Sequence, residues 1–330
     1  MTDFQAFWVE KDDDGVHHRV ITRSTDDLPA GEVLVKVQYS SLNYKDAMSA
    51  KGLPGVTRNY PHTPGIDAAG TVAESKADGI SEGDEVIVIG YDLGMNTAGG
   101  FGEYIRVPAG WVTALPAGLS VRESMVLGTA GFTAALCVRK LKRMGAKPED
   151  GPVIVTGATG GVGSVAVSLL AKAGYEVHAS TGKKEKGEYL KTLGASVVSG
   201  RDELSEENRR PLLNEDYAHG VDTVGGEILT NVIKRLKYGG SVAICGLVAA
   251  PTFTGAVFPF ILRGVNVLGV DSVELPIAEK NEAWTQLASE WKLDNLGVMD
   301  TEIGLSGISA AVDSIFAGQV TGRTLVVHRA

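Results

Sequence analysis

Cysteine is almost missing from this chain: 330 residues contain only Cys137 and Cys245. Two thiols so far apart in sequence, each in an apolar stretch, read as buried side chains. That count excludes a disulfide framework and a four-cysteine zinc site. No run of about 18 apolar residues suggests a membrane span. The start, Met1-Thr-Asp-Phe-Gln-Ala-Phe-Trp8, lacks a basic stretch followed by an apolar one. No membrane partner and a cytoplasmic location are therefore expected. A long basic run is also lacking and the net charge is −9, so nucleic acid is not an expected partner. Internal repeats and low-complexity segments are absent too. The chain does have 44% hydrophobic residues, and length enough for two domains with ordinary cores.

The most informative stretch is Val153-Ile-Val-Thr-Gly-Ala-Thr-Gly-Gly-Val-Gly-Ser-Val-Ala-Val167. The β-branched run Val153 to Val155 reads as a buried parallel strand, and Ser164 to Leu170 as a helix packed on it. Between them, Ala158-x-Gly160-x-x-Gly163 is a dinucleotide fingerprint with alanine at its first glycine. A small residue at 158 permits the tight turn, Gly160 lets a pyrophosphate approach the backbone, and Gly163 lets the helix lie on the strand. The helix N-terminus offers free N–H groups and a positive dipole end to the phosphates. Thr159, Gly160, Gly161 and Val162 are thus cofactor-binding candidates.

The surroundings divide the chain. Up to about residue 120 the pattern is β structure with turns, namely Phe4–Val9, Val16–Ile21, Glu32–Ser40, Ala69–Ala73, Asp84–Ile89 and Glu103–Val107. Its irregular spacing suits a barrel with long excursions. From 153 on, strands and helices alternate, with helices expected near 163–173, 184–193, 203–213, 226–237 and 257–263. That alternation predicts a doubly wound parallel sheet, the α/β Rossmann class. Helices over 278–293 and 307–317 and a strand over 324–327 then complete the first domain. The expected division is 1–120 with 275–330, and 121–274.

At the end of the second strand an acid normally holds the ribose 2′-hydroxyl of NAD. Here the place reads Ala179-Ser-Thr-Gly-Lys-Lys184, with no carboxylate before Glu185. Ser180, Thr181, Gly182 and Lys183 instead suit a 2′-phosphate, with Arg201 as a second cation. The expected cofactor is NADPH. Thr181 also suits a helix cap.

With these features the chain resembles the medium-chain dehydrogenase/reductase superfamily. Within it, it is most similar to the zinc-free quinone oxidoreductase branch and its acrylyl-CoA reductase subgroup. The resemblance is carried by Ser40-Ser-Leu-Asn-Tyr-Lys-Asp46, Pro64-Gly-Ile-Asp-Ala-Ala-Gly70, Leu127-Gly-Thr-Ala-Gly-Phe-Thr-Ala134, Pro259-Phe-Ile-Leu-Arg263, Gly269-Val-Asp-Ser272 and Gly322-Arg-Thr-Leu325. It implies a GroES-like β-barrel catalytic domain beside the Rossmann domain. It also implies cofactor contacts at Tyr44, Leu247, Ile261, Ser272 and position 318, where this chain has Gly318. Zinc-dependent relatives place cysteine, His-Glu and cysteine where this chain has Asn43, Ile66-Asp67 and Thr129-Ala130, so no metal is expected.

Without a Lewis acid, reduction of an activated double bond is the expected chemistry. Hydride goes to the β-carbon, and the resulting enolate is stabilised and protonated. Tyr44, Asn43 and Asp67 are the catalytic candidates. Tyr44 holds the nicotinamide or donates a proton, Asn43 donates to the carbonyl, and Asp67 orients. The implied substrate is a short unsaturated acyl-CoA, acrylyl-CoA first, with Arg58 and Arg263 as contributors to phosphate binding. A quinone or simple enone is the near alternative, and a turnover-free NADPH-binding sensor the distant one. The apolar run Val265 to Val270 reads as the edge strand and points to a homodimer.

Overall fold

A computed structural model describes residues 1–328. Its contacts form two compact units, Met1–Thr129 with the chain from Ser272 on, and Ala130–Asp271. The first boundary falls after Thr129, where the sequence expectation is 120, and the second before Ser272, where it is 275. One reason is the helix Val121–Arg143, which is interrupted at Gly128 (φ 51°, ψ −160°), a conformation open to glycine. The first boundary therefore falls just after this break, inside the helical stretch.

The first unit opens with a hairpin, β1 (Asp3–Asp12) and β2 (Gly15–Ser24). Next come β3 (Val33–Leu42), α1 (Tyr44–Ala50), β4 (Asp67–Ser75), β5 (Glu85–Ile89), β6 (Tyr104–Val107) and β7 (Val112–Ala114). Period-two alternation sends Val33, Val35 and Val37 of β3 into a core shared with Val72, Val86, Val88, Ile105 and Val107. Each fully buried valine contributes about 2 kcal/mol relative to exposure. The interrupted helix is α2 (Val121–Arg143). It is long and apolar enough to cross a membrane, but 83% of its apolar window is buried in the fold.

The second unit alternates as the sequence predicts. It runs β8 (Val153–Thr156), α3 (Gly161–Lys172), β9 (Val177–Thr181), α4 (Gly187–Thr192), β10 (Val197–Gly200), α5 (Asp202–Ser205), β11 (Tyr217–Asp222), α6 (Gly226–Arg235), β12 (Leu236–Ile244), α7 (Phe258–Arg263) and β13 (Asn266–Gly269). The six strands are parallel, in order β10-β9-β8-β11-β12-β13. The strand order reverses between β8 and β11, and ligands of such sheets bind beyond the strand C-termini at that point. The helix expected over 203–213 shrinks to α5. Asn231 Nδ2 donates to the carbonyls of Leu204 and Glu206 at 2.8 Å each, and Pro211 cannot continue a helix.

The chain then returns through α8 (Ile277–Ala288), β14 (Asp300–Ile303), α9 (Ile308–Phe316) and β15 (Arg323–Val327). β15 runs antiparallel to β3, with Thr324 opposite Leu42, in the sheet β14-β15-β3-β4-β5-β7. This pairing sets Arg323 beside the end of β3.

Candidate active site

Each unit contains one chemical arrangement. In the second unit β8 ends at Thr156 and the chain turns at Gly157, whose φ is 59°. The tight turn is thus made at Gly157, one residue before the fingerprint's expected turn position, Ala158. A Cβ on Gly163 would lie 2.3 Å from the Gly157 carbonyl oxygen, so α3 packs on the turn only with glycine there. A Cβ on Gly160 would meet a single atom, at 3.3 Å. That position is an open cradle, and Gly161 and Val162 begin the helix whose first-turn N–H groups lack helical partners.

Beside this turn, Ser180 and Thr181 end β9 and are both buried. Thr181 Oγ1 pairs with Thr159 Oγ1 at 2.9 Å and accepts the Lys183 N–H at 3.0 Å. Thr181 therefore closes a side-chain turn onto Lys183 and is not the helix cap, because the short helix Lys184–Lys186 has Lys183 at its N-cap; its hydroxyl is engaged within the protein. The Arg201 side chain lies along Gly182: a Cβ there would be 3.2 Å from Arg201 Cδ and Nε. Arg201 is exposed. Burial lowers the Lys183 ammonium from its ordinary value. The strand end thus gathers Thr159, Thr181, Gly182, Lys183 and Arg201. A 2′-phosphorylated dinucleotide fits these residues, with an open phosphate cradle and adjacent cations.

Leu247 follows β12 and lies against the loop after β11, where a Cβ on Gly225 would be 3.5 Å from its Cα. Its side chain is exposed, as is Ile261 on α7. Arg263 is occupied elsewhere, donating to the carbonyls of Lys234, Leu236 and Leu213. That removes it from the expected phosphate contacts, whereas Arg58 remains exposed. Gly318 has φ 67° and an open surround.

In the first unit a buried network centres on Asp67, at the start of β4. Its Oδ2 accepts from Ser41 Oγ (2.5 Å), Asn43 Nδ2 (2.8 Å) and Thr129 N (2.9 Å), and its Oδ1 from Thr129 Oγ1 (2.5 Å). Arg323 completes it. Its guanidinium donates to Val126 O (3.0 Å), Asn43 Oδ1 (3.2 Å) and Ser41 Oγ (2.8 Å), and stands 3.7 Å from Asp67 Oδ2. Asp67 and Arg323 are 0% and 3% exposed. Gly128 makes room, because a Cβ there would come within 2.8 Å of Ser41, Asp67 and Arg323 atoms.

Asn43 has its amide hydrogens on Ser41 O and Asp67 and its carbonyl on Arg323. The residue expected to donate to a substrate carbonyl is bonded inside the protein and caps α1. Asp46, three residues on, is buried. Its carboxylate accepts from the N–H groups of Asn43 (2.7 Å) and Ile66 (2.8 Å). Burial, with the nearby Asp67 charge, pushes Asp46 up to about 7. Tyr44 is therefore the first residue of α1. Its half-buried ring packs at 5.3 Å and 51° on Phe316 of α9.

Sequence reasoning missed Asp46, Thr129, Arg323 and Phe316 as parts of this site. Asn43 with Asp three residues later is a helix-start signal that could have placed α1. Nothing local announces Arg323, which meets Asn43 across 280 residues. Asn43 and Thr129 do converge on Asp67, but as an amide and a hydroxyl. They do not fit zinc, which takes thiolate, imidazole or carboxylate. His62, nearby in sequence, bonds Gly94 O at 2.9 Å.

The chain matches two family models, an alcohol dehydrogenase GroES-like domain over residues 29–117 and a zinc-binding dehydrogenase over 161–290. It is 45% identical to acrylyl-CoA reductase AcuI of Ruegeria pomeroyi over 325 residues, covering 98% of each chain. The yhdH oxidoreductase of Salmonella enterica, solved in complex with NADP, superposes with a TM-score of 0.96 at 45% identity, covering 98% of this chain and 100% of that one. Bacillus subtilis yhfP, solved with NAD bound, gives 0.96 at 45%, covering 99% and 100%. The chain belongs to the medium-chain dehydrogenase/reductase superfamily and is an oxidoreductase of that superfamily.

Proposed function

We propose that this oxidoreductase reduces an activated carbon–carbon double bond with NADPH and without a metal, and that its substrate is a short 2-enoyl-CoA, acrylyl-CoA first, giving propionyl-CoA. The observation that carries this is the Asp67 network. Asn43 and Thr129, at positions where the resemblance implies zinc ligands in metal-dependent relatives, donate to Asp67 beside the buried Arg323 guanidinium, which supports a metal-free reading. Alcohol oxidation without a metal would lack its Lewis acid, whereas enone reduction needs only a hydride, stabilisation of an enolate and a proton. The 45% identity to an acrylyl-CoA reductase supports the substrate class.

NADPH, when bound, supplies the hydride. Thr159, Gly160, Gly161 and Val162 would hold its pyrophosphate, and Arg201 with Lys183, Gly182, Thr181 and Ser180 its 2′-phosphate. Leu247, Ile261 and Ser272 are further contacts. Tyr44 orients the reacting groups and holds a proton at its hydroxyl. Asn43 and Asp67 are positioning residues in this reading. Asp67 locks the Asn43 amide, Asn43 caps α1, and α1 with Phe316 sets the Tyr44 ring.

We also infer a homodimer. β13 is one edge of the parallel sheet, and Phe258, Ile261 and Leu262 on the preceding α7 are exposed. Such an edge is ordinarily covered.

Turnover tests the reading. NADPH oxidation measured side by side with acrylyl-CoA, crotonyl-CoA and a benzoquinone should be fastest with acrylyl-CoA. A faster quinone reaction would replace the substrate class. Tight NADPH binding with no reduction of any of the three would make the protein a sensor.

A further inference from the structure

Lys280 on α8 is a buried cation outside the site described above, with 1% of its surface exposed. Its ammonium donates to Ile89 O and to Val273 O, each at 3.0 Å, and lies 3.4 Å from the centroid of the Tyr91 ring. A buried ammonium is costly unless its donors are met, and carbonyls and an aromatic face meet them. Tyr91 is itself unusual. Among the described residues it is the non-glycine residue with positive φ, 52°, a conformation that persists only where the surroundings enforce it. Its N–H donates to Val273 O at 3.0 Å and its hydroxyl to Leu275 O at 3.1 Å. Trp111 stacks on it at 5.6 Å and 15°. At Gly90, a Cβ would lie 2.9 Å from both Lys280 Nζ and Val273 O.

These contacts converge on two points of the backbone. Ile89 is the strand partner of Asp67, and the Gly90 N–H donates to Ile66 O at 3.3 Å. Val273 follows Ser272. One ammonium and one strained tyrosine thus tie the chain after Ser272 to the strand beside the Asp67 network. An apolar residue would anchor α8 without the desolvation cost. What the charge adds is a fixed place for two specific carbonyls.

We propose that Lys280 and Tyr91 are positioning residues, a clamp that holds Ser272 in place for the nicotinamide half of the cofactor. The proposal rests on the reading of Ser272 as a cofactor contact. The adenine half needs only the fingerprint and the end of β9, so the clamp acts on one half of the ligand and not on the other.

Calorimetric titration separates the halves. The ligands are NADPH and adenosine 2′,5′-bisphosphate, which carries the adenine and 2′-phosphate but no nicotinamide. Lys280→Met should raise the NADPH Kd at least tenfold and leave the bisphosphate within twofold of wild type. Lys280→Arg, which restores the charge, should recover NADPH binding to within threefold. Equal weakening of both ligands, or no change in either, would overturn the clamp. Should Lys280→Met not fold, Tyr91→Phe removes only the bond to Leu275 O. It should weaken NADPH about threefold with the bisphosphate unchanged, and unchanged NADPH binding there would also overturn the proposal. Ser272→Ala tests the Ser272 reading by itself: it should raise the NADPH Kd and leave the bisphosphate unchanged, and unchanged NADPH binding there would overturn the Ser272 reading and with it the clamp.

Discussion

Replacing Arg323 by methionine removes the cation of the buried network while keeping much of its volume. Asp67 would keep its four hydrogen-bond donors but lose its charge partner in a site with no solvent exposure. Breaking a buried pair from one side costs about 3–5 kcal/mol. The carbonyls of Val126 and Asn43 also lose a donor, and an unsatisfied buried acceptor costs about 1–3 kcal/mol. We therefore expect a loss of at least 3 kcal/mol, or about 1 M in urea midpoint at a slope of about 3 kcal/mol per M. The assay is selective, because the four tryptophans, Trp8, Trp111, Trp284 and Trp291, all fall in the first unit. Their fluorescence follows that unit alone during a urea titration. Asp67→Asn should be costly too, and the double variant should cost at least 2 kcal/mol less than the sum of the two. A single-variant cost below 1 kcal/mol, or additivity within 0.5 kcal/mol, would refute this account of the network.

Four further outcomes follow from the same geometry. NADPH should bind at least ~10-fold tighter than NADH, about 1.4 kcal/mol, and Arg201→Ala should erase most of that difference; equal dissociation constants in wild type would remove the 2′-phosphate argument. Activity should survive exhaustive chelation with no stoichiometric zinc in metal analysis, and activity lost on chelation and restored by zinc would contradict the donor-set reasoning. Asp46, pushed up to about 7 in the fold from 3.8, contributes stability that is complete below pH 4 and lost as pH rises through about 7; compared with Asp46→Asn, wild type should therefore lose about 2–3 kcal/mol between pH 5 and pH 8, and a pH-independent difference would count against it. Light scattering at micromolar concentration should give about twice the 34.6 kDa chain mass, and a monomer mass would dispose of the edge-strand inference.

Much of this architecture is written locally. The run Val153–Val155, the glycines after it and the later alternation suffice for a doubly wound sheet, because strand and helix periods are short-range properties. The second β-strand's end likewise shows its missing acid directly. The departures have identifiable causes. The turn's positive φ lies at Gly157, where a Cβ would come within 2.3 Å of Thr223 Oγ1. α1 begins at Tyr44 because the Asp46 carboxylate accepts the Asn43 N–H, a helix-start pattern present in Asn-Tyr-Lys-Asp but not read as one. Asn43 was expected to face substrate because an amide is a good donor. Only the fold reveals that both of its N–H groups go to Ser41 O and Asp67 and that its carbonyl accepts from Arg323. Ion pairs and hydrogen bonds between the two ends of a chain have no period and no spacing, so Arg323 and Lys280 were legible only as ordinary basic residues.

The most direct test of the central claim is the fate of the hydride. Acrylyl-CoA should be turned over with NADPH carrying deuterium at its transferable position, in chelator-treated buffer, and the product analysed by mass spectrometry and NMR. The product should be propionyl-CoA with one deuterium, at the carbon β to the thioester. Label at the α-carbon, or NADPH left unconsumed while the protein binds it, would contradict it.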